Sequence, residues 1–224
     1  MNPTFKTLVD QLHTGHDVGQ NLAAIADFLL NGCVLTVGGS TYRLVEIEGY
    51  YTHPSGHNDP YTHKAPAQQT AGTWYWHREA GRRNGVDLTI GSQEAHGGFL
   101  FRSLVEEQTQ QQVYGPGNIV GLVLKKLGRS STADLPTDAF SNSQFALKER
   151  SSKGYERVLA VPRHGLGSPV GADADWRTLP YRYITSPTLR HDGKEGPILR
   201  SLLDQNYPLA EINQLFNRNF KAPA

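Results

Sequence analysis

The stretch Cys33-Val34-Leu35-Thr36-Val37-Gly38-Gly39-Ser40-Thr41-Tyr42-Arg43-Leu44-Val45-Glu46-Ile47-Glu48-Gly49-Tyr50 decides the fold. Cys33 to Val37 is apolar and β-branched, Gly38-Gly39-Ser40 is a turn, and Tyr42 to Tyr50 alternates as a returning strand. Together they read as a hairpin. Alternation places Glu46 and Glu48 on one face and Val45 and Ile47 on the other. Two readings of the acidic face stand side by side. It is a solvated outer face with two charges, or a strand end that delivers a catalytic carboxylate into an active-site loop. The residues that follow favour the second: Gly49-Tyr50-Tyr51, then a loop dense in histidine.

Outward from the hairpin, residues 4–13 and 18–31 read as helices, the second with Leu22, Ile25, Ala26 and Leu29 at helical spacing and Gly32 as its stop. Residues 51–72 carry little periodicity and read as a long surface loop. Gly72–His77, Val86–Ile90 and Gly98–Leu104 are strands. A helix opens at Gly115-Pro116-Gly117 and stops at Gly128. Residues 129–154 are polar and read as an exposed excursion with at most one helical turn. Val158–Val161 and Leu179–Ile184 are further strands, and two helices near 196–205 and 208–217 close the chain. Helices, strands, a helix, strands and helices in that order predict an α+β single domain over residues 1–224, with a mostly antiparallel curved sheet flanked by helices. Residues 1–17 form an N-terminal extension and 185–224 carry the C-terminal helices.

The 224 residues, 38% hydrophobic, are enough for one core. A formal net charge of +1 neither makes nor sinks a nucleic-acid partner, since dedicated binders are more basic overall. Cys33 is the single cysteine, which excludes an intrachain disulfide and a cysteine-based zinc site, and its apolar neighbours make it a core residue. No signal layout and no membrane-length apolar run is present, so an intracellular location is expected.

The loop His53-Pro-Ser-Gly-His57-Asn58-Asp59-Pro-Tyr61-Thr62-His63 invites a metal reading, but its spacing matches no helical pair, and Pro and Gly break any helix. Histidines as hydrogen-bonding groups of a polar site, or a plain surface loop, are the alternatives. Tyr50, Tyr61, Trp74, Tyr75, Trp76 and Tyr114 are candidate walls for a flat ring, with core packing the competing reading for Trp74 and Trp76. Arg78, Arg82 and Arg83, with Lys125, Lys126 and Arg129, form basic clusters suited to phosphates or to solvent.

Read in order, the segments resemble the alkyladenine (3-methyladenine) DNA glycosylase family. That family's Arg-Ile-Val-Glu-Thr-Glu-Ala-Tyr looks like Arg43-Leu44-Val45-Glu46-Ile47-Glu48-Gly49-Tyr50, and its Asp with a His four residues later looks like Asp59 and His63. Similar matches fall on Gly72-Thr73-Trp74-Tyr75-Trp76-His77, Leu100-Phe101-Arg102-Ser103-Leu104 and Gly115-Pro116-Gly117-Asn118-Ile119. The last fall on Arg163-His164-Gly165-Leu166, then Trp176, then Pro180-Tyr181-Arg182-Tyr183. The series spans roughly residues 20–185.

The resemblance implies a monofunctional hydrolase of N-glycosyl bonds in base-excision repair, acting on a flipped, modified base. Glu48 falls on the catalytic carboxylate that activates water. Arg102 and the main-chain carbonyl of His164 fall on positions that help hold that water. Tyr50, His63, His77 and Asp87 fall on base-binding positions, and Arg78, Arg82 and Arg83 are candidate contacts to the nucleic-acid backbone. The implied partner is DNA, duplex or single-stranded, bound by a monomer without cofactor or metal. The chemistry suits the residues: an ionised carboxylate stabilises oxocarbenium character and can deprotonate water. Differences stand beside the matches. Ala80 occupies the place of the family's duplex wedge, His77 that of a pocket tyrosine and Asp87 that of a pocket asparagine, which predicts a different base preference. Three other readings remain: hydrolysis of a modified nucleoside, nucleotide or single strand; a non-catalytic nucleic-acid-binding module; and a metal hydrolase built on His53, His57 and His63.

Overall fold

The computed structural model describes residues 1–79, 83–150, 154–167, 174–191 and 195–221, without the side chains of Arg78, Glu79, Arg83, Ala174 and Asp175. The hairpin forms as its sequence requires. Strand β1 (Cys33–Val37) pairs with β2 (Ser40–His53), Val37 opposite Ser40. The two loop residues Gly38 and Gly39 have φ of +53° and +88°, the positive values of the two-residue turn that matches strand twist.

Strand β2 is the spine of a ten-stranded sheet in which the strand pairs are antiparallel. One path runs from β4 (Trp74–Glu79) through β5 (Arg83–Thr89), β6 (His96–Glu106), β2 and β1 to β8 (Phe145–Glu149). The short strands β3 (His57–Asn58) and β10 (Arg182–Ile184) pair with β2, β7 (Gln112–Tyr114) with β6, and β9 (Leu159–Val161) with β10. The pairing of β2 with β6 is irregular between Leu44 and Ile47. Such bulges bend a strand and increase its twist.

Helices α1 (Pro3–Thr14) and α2 (Val18–Gly32) are capped by Asn2 and Asp17, whose side chains accept from Phe5 N and Gln20 N. Both bury their apolar stripes in the main core, α2 against β1 and β2 and α1 against α2: Phe5, Val9 and Leu12 from α1, and Leu22, Ile25, Ala26 and Leu29 from α2. Helix α3 (Pro116–Leu127) starts on proline and ends at Gly128 in the left-handed region, φ +62°, adding Ile119 and Val123 to the same core. Helices α4 (Glu195–Asp204) and α5 (Leu209–Phe216) build a smaller core with β9 and β10 from Ile198, Leu202, Ile212 and Phe216. The expected α+β architecture is present, with a curled antiparallel sheet and five helices among the described residues.

Three expectations change. Residues 1–17 are more than an extension, because α1 contributes fully buried Phe5 to the main core. The excursion over 129–154 contains β8, which pairs with β1 from Cys33–Glu149 to Val37–Phe145 and buries Phe145 and Leu147. Serine, threonine and aspartate before this strand mask its short apolar pattern. The loop over 51–72 carries the end of β2, strand β3 and a 3₁₀ turn at Pro66–Gln69, and it buries Asp59 completely. Among the described residues no helix is long and apolar enough to cross a membrane.

Candidate active site

Antiparallel register carries the site. Residues directly opposite each other project from the same face. Glu48 on β2 lies opposite Leu100 on β6, Leu100 opposite Asp87 on β5, and Asp87 opposite Tyr75 on β4. One row thus runs Glu48, Leu100, Asp87, Tyr75. Beside it, Tyr50 lies opposite Gly98, and His77 opposite Gly85. The two glycines hollow this face. A Cβ on Gly85 would lie 2.3 Å from the His77 ring, and one on Gly98 would lie 2.9 Å from the Cβ of Asp87. Above the hollow is a cavity of about 600 Å³, lined among others by Tyr50, His63, His77, Asp87, Leu100, Arg102 and His164.

Glu46 and Glu48 share a face as alternation requires, but that face is sealed: both residues are 0% exposed. The reading of two solvated charges is therefore overturned. Burying a carboxylate demands partners, and each has them. Arg102 bridges the pair, its Nε 3.2 Å from Glu46 Oε1 and its Nη1 donating to Glu48 Oε2 at 2.9 Å. Tyr50 Oη donates to the same Glu48 oxygen at 2.8 Å, and the backbone N–H of His164 donates to Oε1 at 2.7 Å. The residues that hold Glu48 are thus cavity-lining residues, and the carboxylate sits behind them. Burial first, and then the charge of Glu48, push the Tyr50 phenol well above its ordinary pKa, so it remains a donor.

Glu46 is held further by Arg182, whose Nε lies 2.8 Å from Oε1, and by His191, whose Nδ1 lies 3.1 Å from Oε2. Burial alone would raise its pKa. The His191 hydrogen bond and the charges of Arg182, His191 and Arg102 outweigh that and bring it down to about 2.

His164 is placed by its neighbour. Arg163 donates through both Nη1 and Nη2 to Asp59, the Nη2 bond to Oδ1 being 3.1 Å, and also to the carbonyls of Gly49 and Trp176. Its guanidinium centre lies 4.6 Å from the centre of the Tyr50 ring. A fully buried ion pair between the loop after β3 and the loop after β9 therefore aims the His164 amide at Glu48.

The structure brings together Glu48, Arg102, His164, Tyr50, His63, His77 and Asp87. For His164 the documented contact is its N–H to Glu48, while the sequence comparison pointed to its carbonyl. His77 Nε2 lies 3.0 Å from Asp87 Oδ1, and the His63 and His77 rings meet edge to face at 5.0 Å. Arg82 and Ala80 lie outside the described residues, as do the side chains of Arg78 and Arg83. The three-histidine loop divides. His63 faces this cavity, whereas His53 and His57 join His13 and His16 around a second cavity of about 640 Å³. Among the described residues no group of three or more His, Cys, Asp or Glu is arranged to hold a metal. Trp74 stacks on Phe145 with ring centres 4.5 Å apart, and Trp76 packs on the same ring, so both serve the core.

Sequence reading missed the Asp59–Arg163 pair and His191. Asp59 and Arg163 both stood in quoted motifs, but their pairing spans 104 positions and had no local signal. His191 stood in no motif.

No family model matches the chain. The chain is 34% identical over 184 residues to "Uncharacterized protein L759" of Acanthamoeba polyphaga mimivirus, an alignment covering 71% of this chain and 83% of the viral protein. The chain belongs to the family of that viral protein.

Proposed function

We propose that this protein is a DNA glycosylase that hydrolyses the N-glycosidic bond of a flipped, modified base, with Glu48 activating the attacking water. One observation carries the reading: a fully buried carboxylate held by three donors at the wall of a cavity of about 600 Å³. An ionised carboxylate offers about four acceptor positions. Tyr50, Arg102 and His164 take three, and the fourth, on Oε1, suits a water. At 0% exposure the carboxylate touches no bulk solvent, so the wall of Tyr50, Arg102 and His164 has to part as the substrate enters.

The geometry supports the division of labour. Arg102 and the His164 amide fix the Glu48 carboxylate through its two oxygens. That negative charge stabilises the positive charge that develops on the sugar as the base departs, and Glu48 takes the proton of the water that adds to the anomeric carbon. Tyr50 and His63 supply flat surfaces for the base. The motif series from Arg43 to Tyr183 is the second support.

The cavity volume also favours a second reading in which the substrate is a modified nucleoside, nucleotide or single strand, because about 600 Å³ accommodates more than a base. One experiment separates the two. The protein is incubated with duplex oligonucleotides, single strands and free nucleosides carrying 3-methyladenine, hypoxanthine, ethenoadenine or modified pyrimidines. Abasic sites are then revealed by alkali cleavage, and free bases by chromatography. Release from oligonucleotides supports the glycosylase; release from nucleosides alone supports the second reading; release from none contradicts both.

A further inference from the structure

Asp87 is the one carboxylate among the described residues lining the cavity, and it is 3% exposed. Its Oδ1 is occupied by His77 Nε2 at 3.0 Å, and among the described residues no hydrogen bond occupies Oδ2. The placement is built in. Asp87 leans over Gly98, where a Cβ would lie 3.1 Å from Oδ2, and the His77 ring lies over Gly85. An alanine at either position would push the pair out of the hollow. The register fixes its distance from the reaction. Glu48 and Asp87 are separated by the one strand that carries Leu100, which places their backbones about 10 Å apart at ordinary strand spacing. A two-ring base laid over the Leu100 side chain, with its glycosidic bond at Glu48, presents its far edge to Asp87.

We infer that Asp87 is the specificity-determining acceptor of this cavity, selecting two-ring bases that place an exocyclic amino group against its Oδ2 over bases whose far edge carries no N–H. The inference rests on the cavity being a base-binding site and deepens that reading by naming the edge it reads. A carboxylate only accepts hydrogen bonds. An amino group satisfies it, and an edge that carries no N–H leaves it buried without a donor. His77 holds the carboxylate in place so that it does not turn away.

The test uses 2′-deoxyadenosine and purine 2′-deoxyriboside, which differ at that edge only by the presence of the amino group. Binding to the full chain is measured by calorimetry, in the Glu48→Gln background to prevent turnover, with and without Asp87→Asn. In parallel, release of 3-methyladenine and of ethenoadenine, whose far edge carries no N–H, is compared from oligonucleotides for the wild type and Asp87→Asn, with circular dichroism as the check on folding. The expected result is a preference of about tenfold or more for deoxyadenosine, which Asp87→Asn reduces toward unity because an amide presents either a donor or an acceptor. Equal binding, no binding of either nucleoside, or a preference that survives Asp87→Asn overturns the inference. Base release that depends on Glu48 but ignores the amino group overturns this inference and leaves the glycosylase reading standing. Amino-selective binding with no release of any base does the reverse.

Discussion

Arg102 reaches Glu48 through Nη1 at 2.9 Å from the neighbouring strand, and neither side chain is more than 7% exposed. The pair is close, buried and shared with Glu46, so the arginine fixes two carboxylates at once. Arg102→Lys should therefore not be conservative: a lysine has a single charged point and cannot hold Glu46 and Glu48 together. The expected outcome is loss of most single-turnover base release and a lower melting temperature. A variant with normal rate and stability would remove Arg102 from the account.

Glu46 should matter for stability more than for chemistry. Glu46→Gln leaves Arg102 and Arg182 without their shared counter-charge, a change that costs about 3–5 kcal/mol for a buried pair. The acid dependence has a definite sign. The folded-state pKa near 2 lies below the ordinary 4.5, so the stability Glu46 contributes is present above pH 4.5 and is lost as pH falls toward 2. Urea titrations across that window should show a steeper loss for the wild type than for Glu46→Gln. Parallel slopes would contradict the assignment.

Asp59→Asn tests whether the Arg163 anchor positions His164. Breaking a fully buried ion pair by removing one charge costs about 3–5 kcal/mol. The variant should also react more slowly under conditions where it is folded, because the amide that holds Glu48 Oε1 is released. Reduced stability with an unchanged rate would make the pair purely structural.

Cys33 should be inert in the native protein. It is 1% exposed, and burial pushes its thiol up to about 12. Labelling by a thiol reagent at pH 8 should follow global unfolding in denaturant. Fast labelling without denaturant would contradict the packing.

Legibility followed sequence distance. The hairpin from Cys33 to Tyr50 carried its own alternation and turn glycines, and helices α2 and α3 their own periodicity and glycine stops. Strand β8 did not, because its pattern is only five residues long and follows a polar run; it is specified by its pairing with β1. The site divides the same way. Glu48 was visible from strand alternation and from the motif series, yet alternation could not tell a solvated face from a sealed one. That depends on Arg102, Arg163, Arg182 and His191, which reach Glu46, Glu48 and Asp59 from far along the chain. His53, His57 and His63 show the converse. Proximity in sequence suggested one cluster, and the turn between Asn58 and Thr62 sends them to two cavities.

The most direct measurement is the single-turnover rate of base release by Glu48→Gln, on whichever modified oligonucleotide the wild type cleaves. Glutamine preserves the size of the side chain and most of its contacts, so the thermal transition should confirm a folded protein. Removing the group that takes the proton of the attacking water should lower the rate by on the order of 10²–10⁴-fold. A folded Glu48→Gln protein that releases the base at close to the wild-type rate would contradict the role assigned to Glu48.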